Sequence, residues 1–341
     1  MTRTRRLVAA VRWAFIGAAV GIITWQVARQ WAAVRDAVTV IGHWGVLGSL
    51  LATIAGLGAT GVAWRVLLAG LGSPLRPGAA AGVFFVAQLG KYLPGSVWPY
   101  VAQARIGRTH GVPVSRSAAA GVLFVLLHCA TGAIVAATLL PLAGDETIRQ
   151  RFGWLPWLIP VFLVVLHPRV IHAGLALAHR LTRRGSVPEV LPWRALGGAL
   201  LALGGAWTAY GAALFLLVAP LGAGTWRTGV LSTGAFALAW TAGFVAAAVL
   251  VVAAPAGLGV REVALYSVLD PVLTGGAATA VVVFSRIGQL LGDLVWALVG
   301  AVWARRLAGH PPGTDDAAGA GAPESGAGLA SRAATPDCEG V

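Results

Sequence analysis

The chain is a succession of apolar runs, most of them about as long as a bilayer is thick, separated by short clusters of basic residues. A helix rises about 1.5 Å per residue, so roughly 20 apolar residues are needed to cross the hydrocarbon core. Of the 341 residues 57% are hydrophobic and only 11% are charged, against roughly 25% charged in soluble domains. These features predict an all-α polytopic membrane protein and exclude a soluble catalytic domain.

About six of the runs are predicted to be complete transmembrane helices. The first follows a basic segment that resembles the start of a signal peptide, but further spans follow and no convincing cleavage site is present, so an uncleaved helix is expected. The span that begins at Trp154 can extend past Pro168. The limits are Trp13–Ala28, Trp44–Leu71, Ala118–Leu140, Trp154–Leu166, Leu196–Val218 and Ala277–Trp303.

Two further apolar segments are broken by proline and glycine. Irregular backbone at membrane depth is tolerated only where protein or a water-filled cavity covers it. The first residues of the half-helix that follows a break offer free N–H groups and a positive dipole end, which suit an anion such as phosphate. An ordinary kink or a surface turn is the alternative interpretation. The breaks are Lys91-Tyr92-Leu93-Pro94-Gly95, between Ala79–Leu89 and Ser96–Ile106, and Pro255-Ala256-Gly257-Leu258-Gly259, between Val230–Ala254 and Val260–Leu269.

The positions of the basic residues predict the orientation of the chain. If each broken pair enters and leaves on one side, most basic residues fall on the side of the N-terminus, which the positive-inside rule assigns to the cytoplasm. We therefore expect a multi-pass protein of the plasma (inner) membrane with both termini cytoplasmic. The net charge of +13 then reflects topology, and no nucleic-acid partner is expected. The expected parts are a basic N-terminus (1–12), a membrane domain (13–306) and a disordered cytoplasmic tail (307–341).

The order of the segments suggests an internal repeat. Residues 44–140 comprise a span, a broken pair and a span, and residues 196–303 repeat this order with the opposite orientation. Two such units form an inverted repeat, which many transporters use for alternating access. Hydropathy alone can imitate a repeat, and the residue similarity between the halves is slight.

Ionisable residues inside the apolar runs are the candidate site. Such groups are costly in hydrocarbon and usually face a bundle interior or an aqueous cavity. Arg261 and Glu262 follow the second break, while Arg286, Gln289 and Asp293 share one face of the last helix because of their spacing. The alternative is a structural ion pair between Asp293 and either Arg286 or Arg261. Lys91, Arg105 and Arg108 are expected to line a cytoplasmic mouth, unless they are ordinary interfacial residues.

Enzymatic functions have little support in the sequence. The chain has no Walker A loop and no HExxH or CxxC spacing, so no nucleotide, cofactor or metal site is expected. His128 is interpreted as a satisfied core residue rather than a ligand.

The two breaks resemble the signatures of a known family. Tyr92-Leu93-Pro94-Gly95-Ser96-Val97-Trp98, followed by Arg105 and Gly111, is similar to the first signature of the lysylphosphatidylglycerol synthase transmembrane-region family. The segment from Pro255 to Glu262 is similar to the second. The resemblance covers about Trp13 to Arg306 and implies that the translocation site contains Pro94, Gly95, Arg105, Gly257, Gly259, Arg261 and Glu262.

This resemblance implies a membrane lipid translocase for an anionic or aminoacylated phospholipid or a polyprenyl-linked glycan. Glu262 would neutralise a cationic head group or pair with Arg261 between transport states. Two departures are present: Ser96 and Val97 replace a common Gly-Glu pair, and the aminoacyl-transferase domain of full-length synthases is not found, so lipid synthesis is not expected. Two alternatives stay open, a non-transporting partner of a cell-envelope glycosyltransferase and a secondary transporter of a small anion. Membrane lipids are the expected partners, and a cell-envelope enzyme is a further candidate.

Overall fold

The computed structural model describes residues 28, 31–92, 97–143, 146–182, 191–222, 224–249, 257–273 and 276–308. These residues form helices and connecting turns, without any strand. The predicted first helix (except Ala28), Pro94, Gly95, Pro255 and the predicted tail from residue 309 onwards lie outside them, whereas residues 307 and 308 continue the last helix. The helices are α1 (Trp31–Gly70), α2 (Pro77–Gln88), α3 (Trp98–Arg108), α4 (Val114–Leu142), α5 (Glu146–Phe152), α6 (Ile159–Leu166), α7 (Pro168–Thr182), α8 (Trp193–Val218), α9 (Trp226–Val249), α10 (Val260–Leu269) and α11 (Ala277–Ala308).

The prediction of a polytopic all-α membrane protein is confirmed. Five of the described helices, α1, α4, α8, α9 and α11, are long and apolar enough to cross a membrane. Exposed tryptophans stand at helix ends, as expected for side chains that prefer the membrane interface. Trp193 and Trp226 are the first residues of α8 and α9, and their exposed fractions are 75% and 70%.

The segment predicted as a span from Trp154 to Leu166 is more irregular than expected. It begins with a 3₁₀ turn (Leu155–Leu158), continues as α6, and then bends by 64° into α7. The bend lies at His167, whose backbone is extended (φ −66°, ψ 129°). Because Pro168 disfavours helical backbone in the residue before it, the helix ends there. The bent pair makes a sixth span only if both parts are counted together.

The first broken pair returns to the side from which it came. Arg116, near the start of α4, donates from Nη1 to the carbonyl oxygen of Gly72 at 2.7 Å, directly after α1 ends. Helix α2 begins a few residues later, and a short turn joins the end of α3 to α4. The start of α2 and the end of α3 therefore lie on one side of the bundle, here called the first side.

The second broken pair returns to the opposite side. Gly70 at the end of α1 packs against Ala195 near the start of α8, so the long helix α8 runs from the first side to the second side, where α9 begins. Arg151, beyond the second-side end of α4, donates from Nη1 to the carbonyl oxygen of Ser267 at 3.0 Å. The end of α10 is therefore also on the second side. Although α9 is long enough to cross, the chain turns back after it.

Helix packing between the two proposed repeat units is reciprocal. The first spans of the units, α1 and α8, pack on each other. The first half of each broken pair packs on the last span of the other unit, α2 on α11 and α9 on α4. Exchanging the units leaves these three contacts unchanged. The inverted repeat stays a prediction, and this exchange of partners favours it.

Small residues allow the helices to approach closely, as is common where membrane helices pack without a hydrophobic driving force. Along α2 and α11 the contacts run antiparallel: Gly78 packs on the ring of Trp303, and Phe85 stacks on Trp296 with ring centroids 4.6 Å apart. A Cβ atom at Gly300 would lie 2.7 Å from the carbonyl oxygen of Ala81. Helix α2 thus follows α11 from its first-side end towards its middle.

We expect Gly300→Ala to destabilise the protein by about 1–3 kcal/mol, because α2 and α11 must separate to accept the methyl group. Gly204→Ala in α8 is the matched control, since a Cβ there would have open space. That control should be neutral or should stabilise by up to about 1 kcal/mol through helix propensity. Thermal unfolding in detergent measures both. Equal midpoints for the two variants would contradict the close packing of α2 on α11.

Candidate functional site

The polar face of α11 passes through the centre of the bundle. Ser285, Gln289 and Asp293 are buried and Arg286 is half-buried, and their spacing places them on one face of the helix. The span of α11 is Ala277–Trp303, whose midpoint falls between Arg286 and Asp293. Both charges are therefore only one or two turns from the middle of the membrane. The predicted polar face is confirmed.

The first break reaches this face from the first side. After α2 the chain tightens into a 3₁₀ turn, Leu89–Tyr92. Lys91 Nζ lies 2.6 Å from Asp293 Oδ2, and the Tyr92 hydroxyl donates to the same oxygen at 2.6 Å. The Asp293 side chain is 2% exposed, whereas that of Lys91 is 26% exposed. A buried carboxylate thus ties the first break to the last helix through an ion pair and a hydrogen bond.

The second break reaches the same face from the second side. Gly257 and Gly259 have left-handed backbone (φ +70° and +91°), which glycine adopts without steric cost. Helix α10 begins directly afterwards, and the Glu262 Oε2 atom accepts a hydrogen bond from the backbone N–H of Gly259 at 2.6 Å. The other oxygen, Oε1, lies 3.4 Å from Arg286 Nη1. Glu262 therefore caps the half-helix and forms an ion pair with α11.

Arg261 points into the protein beside this pair. The residue is 6% exposed, and its guanidinium lies over the ring of Phe236, 5.0 Å from the centroid. Phe236 in turn stacks on Tyr210, with centroids 4.8 Å apart. The Arg261 Nη2 atom is buried and has no hydrogen-bond partner among the described residues. Burial of a cation requires compensation by a partner or a π face, and here the Phe236 ring and the nearby Glu262 carboxylate favour the charged guanidinium.

Together Lys91, Tyr92, Arg261, Glu262, Arg286 and Asp293 form what we call the central charge cluster. Tyr92 also interacts electrostatically with Arg261 and Arg286, so the two halves of the cluster are neighbours. The structure therefore brings two residues of the first break and two residues that follow the second break together against α11. The cluster thus contains residues, from Lys91 to Asp293, that are far apart in the sequence.

Several sequence-based expectations about pairing are corrected. Asp293 pairs with Lys91, and not with Arg286 or Arg261, because α2 and its 3₁₀ turn carry Lys91 to the middle of α11. For the same reason Lys91 does not line a mouth together with Arg105 and Arg108, which are exposed on α3. In this structure Glu262 pairs with Arg286, and its pairing with Arg261 between transport states stays a prediction. The predicted site residues Pro94, Gly95 and Pro255 lie outside the described residues.

Three aromatic residues of the site are not among those predicted from the sequence. Tyr92 belongs to the first signature and is adjacent to Lys91, which is a signal that could have identified it. Tyr210 and Phe236 lie in ordinary apolar runs, and nothing in their local sequence distinguishes them. Their role follows from packing: Phe236 covers Arg261, and the Tyr210 hydroxyl interacts with Thr60 and Gln289.

His128 lies in the core, as expected, but its polar atoms are not satisfied. The residue is 2% exposed and stacks on Trp240 with centroids 3.9 Å apart, while Trp207 and Phe124 pack around it. Both ring nitrogens lack a hydrogen-bond partner within the described part of the chain. The same part of the chain contains no group of three His, Cys, Asp or Glu residues able to hold a metal ion. The interpretation of a satisfied histidine was therefore wrong, and that of a core residue is confirmed.

The chemistry available in the central charge cluster is that of binding. Its side chains are cations, carboxylates and a phenol at membrane depth, where low dielectric strengthens each interaction and raises the cost of every unpaired charge. Ion pairs of this kind can exchange partners when a charged ligand enters, since the ligand replaces one member of a pair. Both helix breaks would respond to such an exchange because both are tied to α11.

Comparison with known proteins gives one match. A family model described as lysylphosphatidylglycerol synthase TM region matches residues 8–297, and this range contains both breaks and the whole central charge cluster. No curated protein and no solved structure matches the chain.

Proposed function

The chain belongs to the lysylphosphatidylglycerol synthase transmembrane-region family, and from this premise we propose that it is a membrane lipid translocase. The proposal is that a phospholipid or lipid-linked head group crosses the bilayer through the central charge cluster while its acyl chains stay in the hydrocarbon. A head group cannot cross unaided because its charge is costly in hydrocarbon. A polar site at mid-membrane would lower that cost.

One observation carries this proposal: two helix breaks that enter from opposite sides meet at charged residues in the middle of α11. A purely structural ion pair needs no helix breaks, and it is seldom worth more than a well-packed apolar pair. Two breaks arranged around buried charges are instead the usual composition of a substrate site in a transporter.

The geometry also supports a way in which access could alternate. The Lys91–Asp293 pair closes the first-side break against α11, and the Arg286–Glu262 pair closes the second-side break against it. A head group that replaced one pair would release one break while the other stayed closed. In this proposal α11 is the shared element, and the substrate would be accessible from one side at a time.

We expect Glu262→Gln to slow lipid movement by at least about tenfold, because loss of one charge-assisted contact costs roughly 1.5–3 kcal/mol. The amide still has an oxygen that accepts from the Gly259 N–H, so the half-helix cap is retained. Glu146→Gln is the matched control, since Glu146 pairs with Arg149 on an exposed helix. Fluorescent phospholipids in proteoliposomes, read with an impermeant quencher, give the rate.

Equal rates for Glu262→Gln and wild type, at equal reconstituted amounts, would remove Glu262 from the proposed site. No movement of any lipid by folded protein would contradict the translocase itself. In that case crosslinking in native membranes tests for a cell-envelope enzyme partner, and uptake driven by an ion gradient tests for small-anion transport.

A further inference from the structure

The charges of the central charge cluster do not balance. Lys91, Arg261 and Arg286 contribute three positive charges, and Glu262 and Asp293 contribute two negative charges, so one positive charge remains among the described residues. An uncompensated charge is expensive at membrane depth. The cluster therefore favours a ligand with a single negative charge, which would make the occupied site neutral.

Neither carboxylate of the cluster is available for a cationic ligand. Asp293 Oδ2 is contacted by both Lys91 and the Tyr92 hydroxyl at 2.6 Å. Glu262 is held by the Gly259 N–H at 2.6 Å and by Arg286 at 3.4 Å. An ammonium group would have to displace one of these cations and would raise the net charge further. The arrangement thus disfavours an aminoacylated lipid with net positive charge.

The unpaired donor of the cluster is a guanidinium nitrogen. Arg261 is only 6% exposed, and its Nη2 atom lacks a hydrogen-bond partner in the described part of the chain. The Phe236 ring holds the guanidinium plane from one face, which leaves the edge for ligand contact. Carboxylate and phosphate oxygens are the usual partners of such an edge, and phosphate is the one that a phospholipid supplies.

Two buried acceptors belong to residues around Arg261: Glu262 interacts with it electrostatically, and Tyr210 interacts with both Arg261 and Gln289. Glu262 Oε1 has no hydrogen-bond geometry towards Arg286 although it lies at ion-pair distance, and Gln289 Oε1 is likewise buried without a partner within the described residues. Buried acceptors without donors cost roughly 1–3 kcal/mol each. Hydroxyl groups on a ligand would satisfy them without adding charge.

We propose that the site accepts a phosphodiester lipid with a single negative charge and an uncharged, hydroxyl-bearing head group. Arg261 Nη2 binds the phosphate, and Glu262 Oε1 and Gln289 Oε1 accept from the head-group hydroxyls. This inference rests on the proposed translocase function, since it assigns the substrate class of the same site. It selects one class among the anionic phospholipids, aminoacylated phospholipids and polyprenyl-linked glycans that the sequence left open.

Binding and transport are measured separately so that the two proposals can fail independently. Short-chain phosphatidylglycerol is added to the full-length protein in detergent, and the shift of the thermal unfolding midpoint is compared with that from lysyl-phosphatidylglycerol, phosphatidylmethanol and a polyprenyl diphosphate. Phosphatidylmethanol has the same charge and no head-group hydroxyl. Soluble glycerol phosphate tests whether a free phosphate ester is sufficient. The same lipids, labelled on an acyl chain, are then followed in proteoliposomes.

We expect phosphatidylglycerol to bind about ten- to hundredfold more tightly than lysyl-phosphatidylglycerol, a difference equivalent to one charge-assisted hydrogen bond. Phosphatidylmethanol should bind several-fold more weakly than phosphatidylglycerol. Equal or tighter binding of the cationic or diphosphate lipid overturns the inference, even if that lipid is transported. Binding of glycerol phosphate as tight as that of the lipid overturns the lipid assignment. Selective binding without movement supports the inference and contradicts the translocase.

Variants of Arg261 test the assigned donor. Arg261→Gln makes the cluster neutral and should abolish the preference for phosphatidylglycerol over lysyl-phosphatidylglycerol. Arg261→Lys keeps the positive charge and should therefore keep part of this lipid preference. Arg227→Gln is the matched control, because Arg227 also lies over an aromatic ring, that of Trp226, but is exposed. Unchanged lipid selectivity in both Arg261 variants would contradict the role of Arg261 as the phosphate-binding donor. If Arg261→Gln does not fold, the comparison of Arg261→Lys with wild type decides it.

Discussion

Asp293→Asn is expected to lower the free energy of unfolding by about 3 kcal/mol or more and to abolish lipid movement, because it leaves the ammonium of Lys91 without its carboxylate. The Asp293 side chain is 2% exposed, and its Oδ2 atom is the partner of both Lys91 and Tyr92. The amide keeps the shape and can still accept from the Tyr92 hydroxyl. The loss therefore reports the charge rather than packing. Chemical unfolding in detergent and the proteoliposome rate measure the two effects.

Two further variants separate the ion pair from general damage. Asp36→Asn removes a carboxylate 3.8 Å from Arg35 at the surface and should change stability by less than about 0.5 kcal/mol. The double variant Lys91→Gln with Asp293→Asn restores the wild-type net charge of the cluster and should recover most of the stability but not the transport. Wild-type transport by the double variant would show that this pair is structural and lies outside the substrate path.

Gly257→Ala is expected to have the second largest effect. It should lower the free energy of unfolding by about 2–5 kcal/mol, because a backbone cost and a steric cost add at this position. The left-handed backbone (φ +70°) is unfavourable for alanine. In addition, a Cβ atom would lie 2.8 Å from the backbone of Gly243, so α10 would have to move away from α9. Such a shift would also displace Arg261, since its Cβ atom packs on Gly243. We therefore expect lost stability together with lost lipid movement.

Gly111→Ala measures the cost of left-handed backbone for alanine without a steric clash. Gly111 has φ +76° but open space around a Cβ atom, so its replacement should cost only about 1–2 kcal/mol and leave lipid movement unchanged. A similar loss of stability in both variants would mean that the close approach of Gly257 to Gly243 is not important. Thermal unfolding midpoints in the same detergent provide the comparison.

Much of the helix layout could be predicted because hydrophobicity and helix breakers act locally. The half-helix predicted as Val260–Leu269 is observed with those limits, and the predicted break after Leu89 coincides with a 3₁₀ turn. Periodicity also placed Arg286, Gln289 and Asp293 on one face, since 3.6 residues per turn is a property of any helix. Around Pro168, where local signals compete, the helix ends at Leu166 as predicted, but it begins with a 3₁₀ turn and bends into α7.

Pairing within the site could not be predicted because it depends on which helices become neighbours. Asp293 had several possible cationic partners in the sequence, and only the antiparallel packing of α2 on α11 selects Lys91. The ring under Arg261 comes from Phe236 in α9, a residue without any local signature. Contacts of this kind join segments that are distant in the sequence, and a hydropathy pattern gives no information about them.

The sequence alone specifies a helical membrane protein with two interrupted segments and a few charges at membrane depth. The cost of burying polar groups in hydrocarbon is large enough to impose that result on almost any packing. Helix packing, in contrast, establishes that both interruptions meet at α11, that each carboxylate is paired, and that Arg261 Nη2 has no partner within the described segments. Those outcomes depend on shape complementarity between helices distant in sequence, where differences of a few ångströms select the partner of each charge.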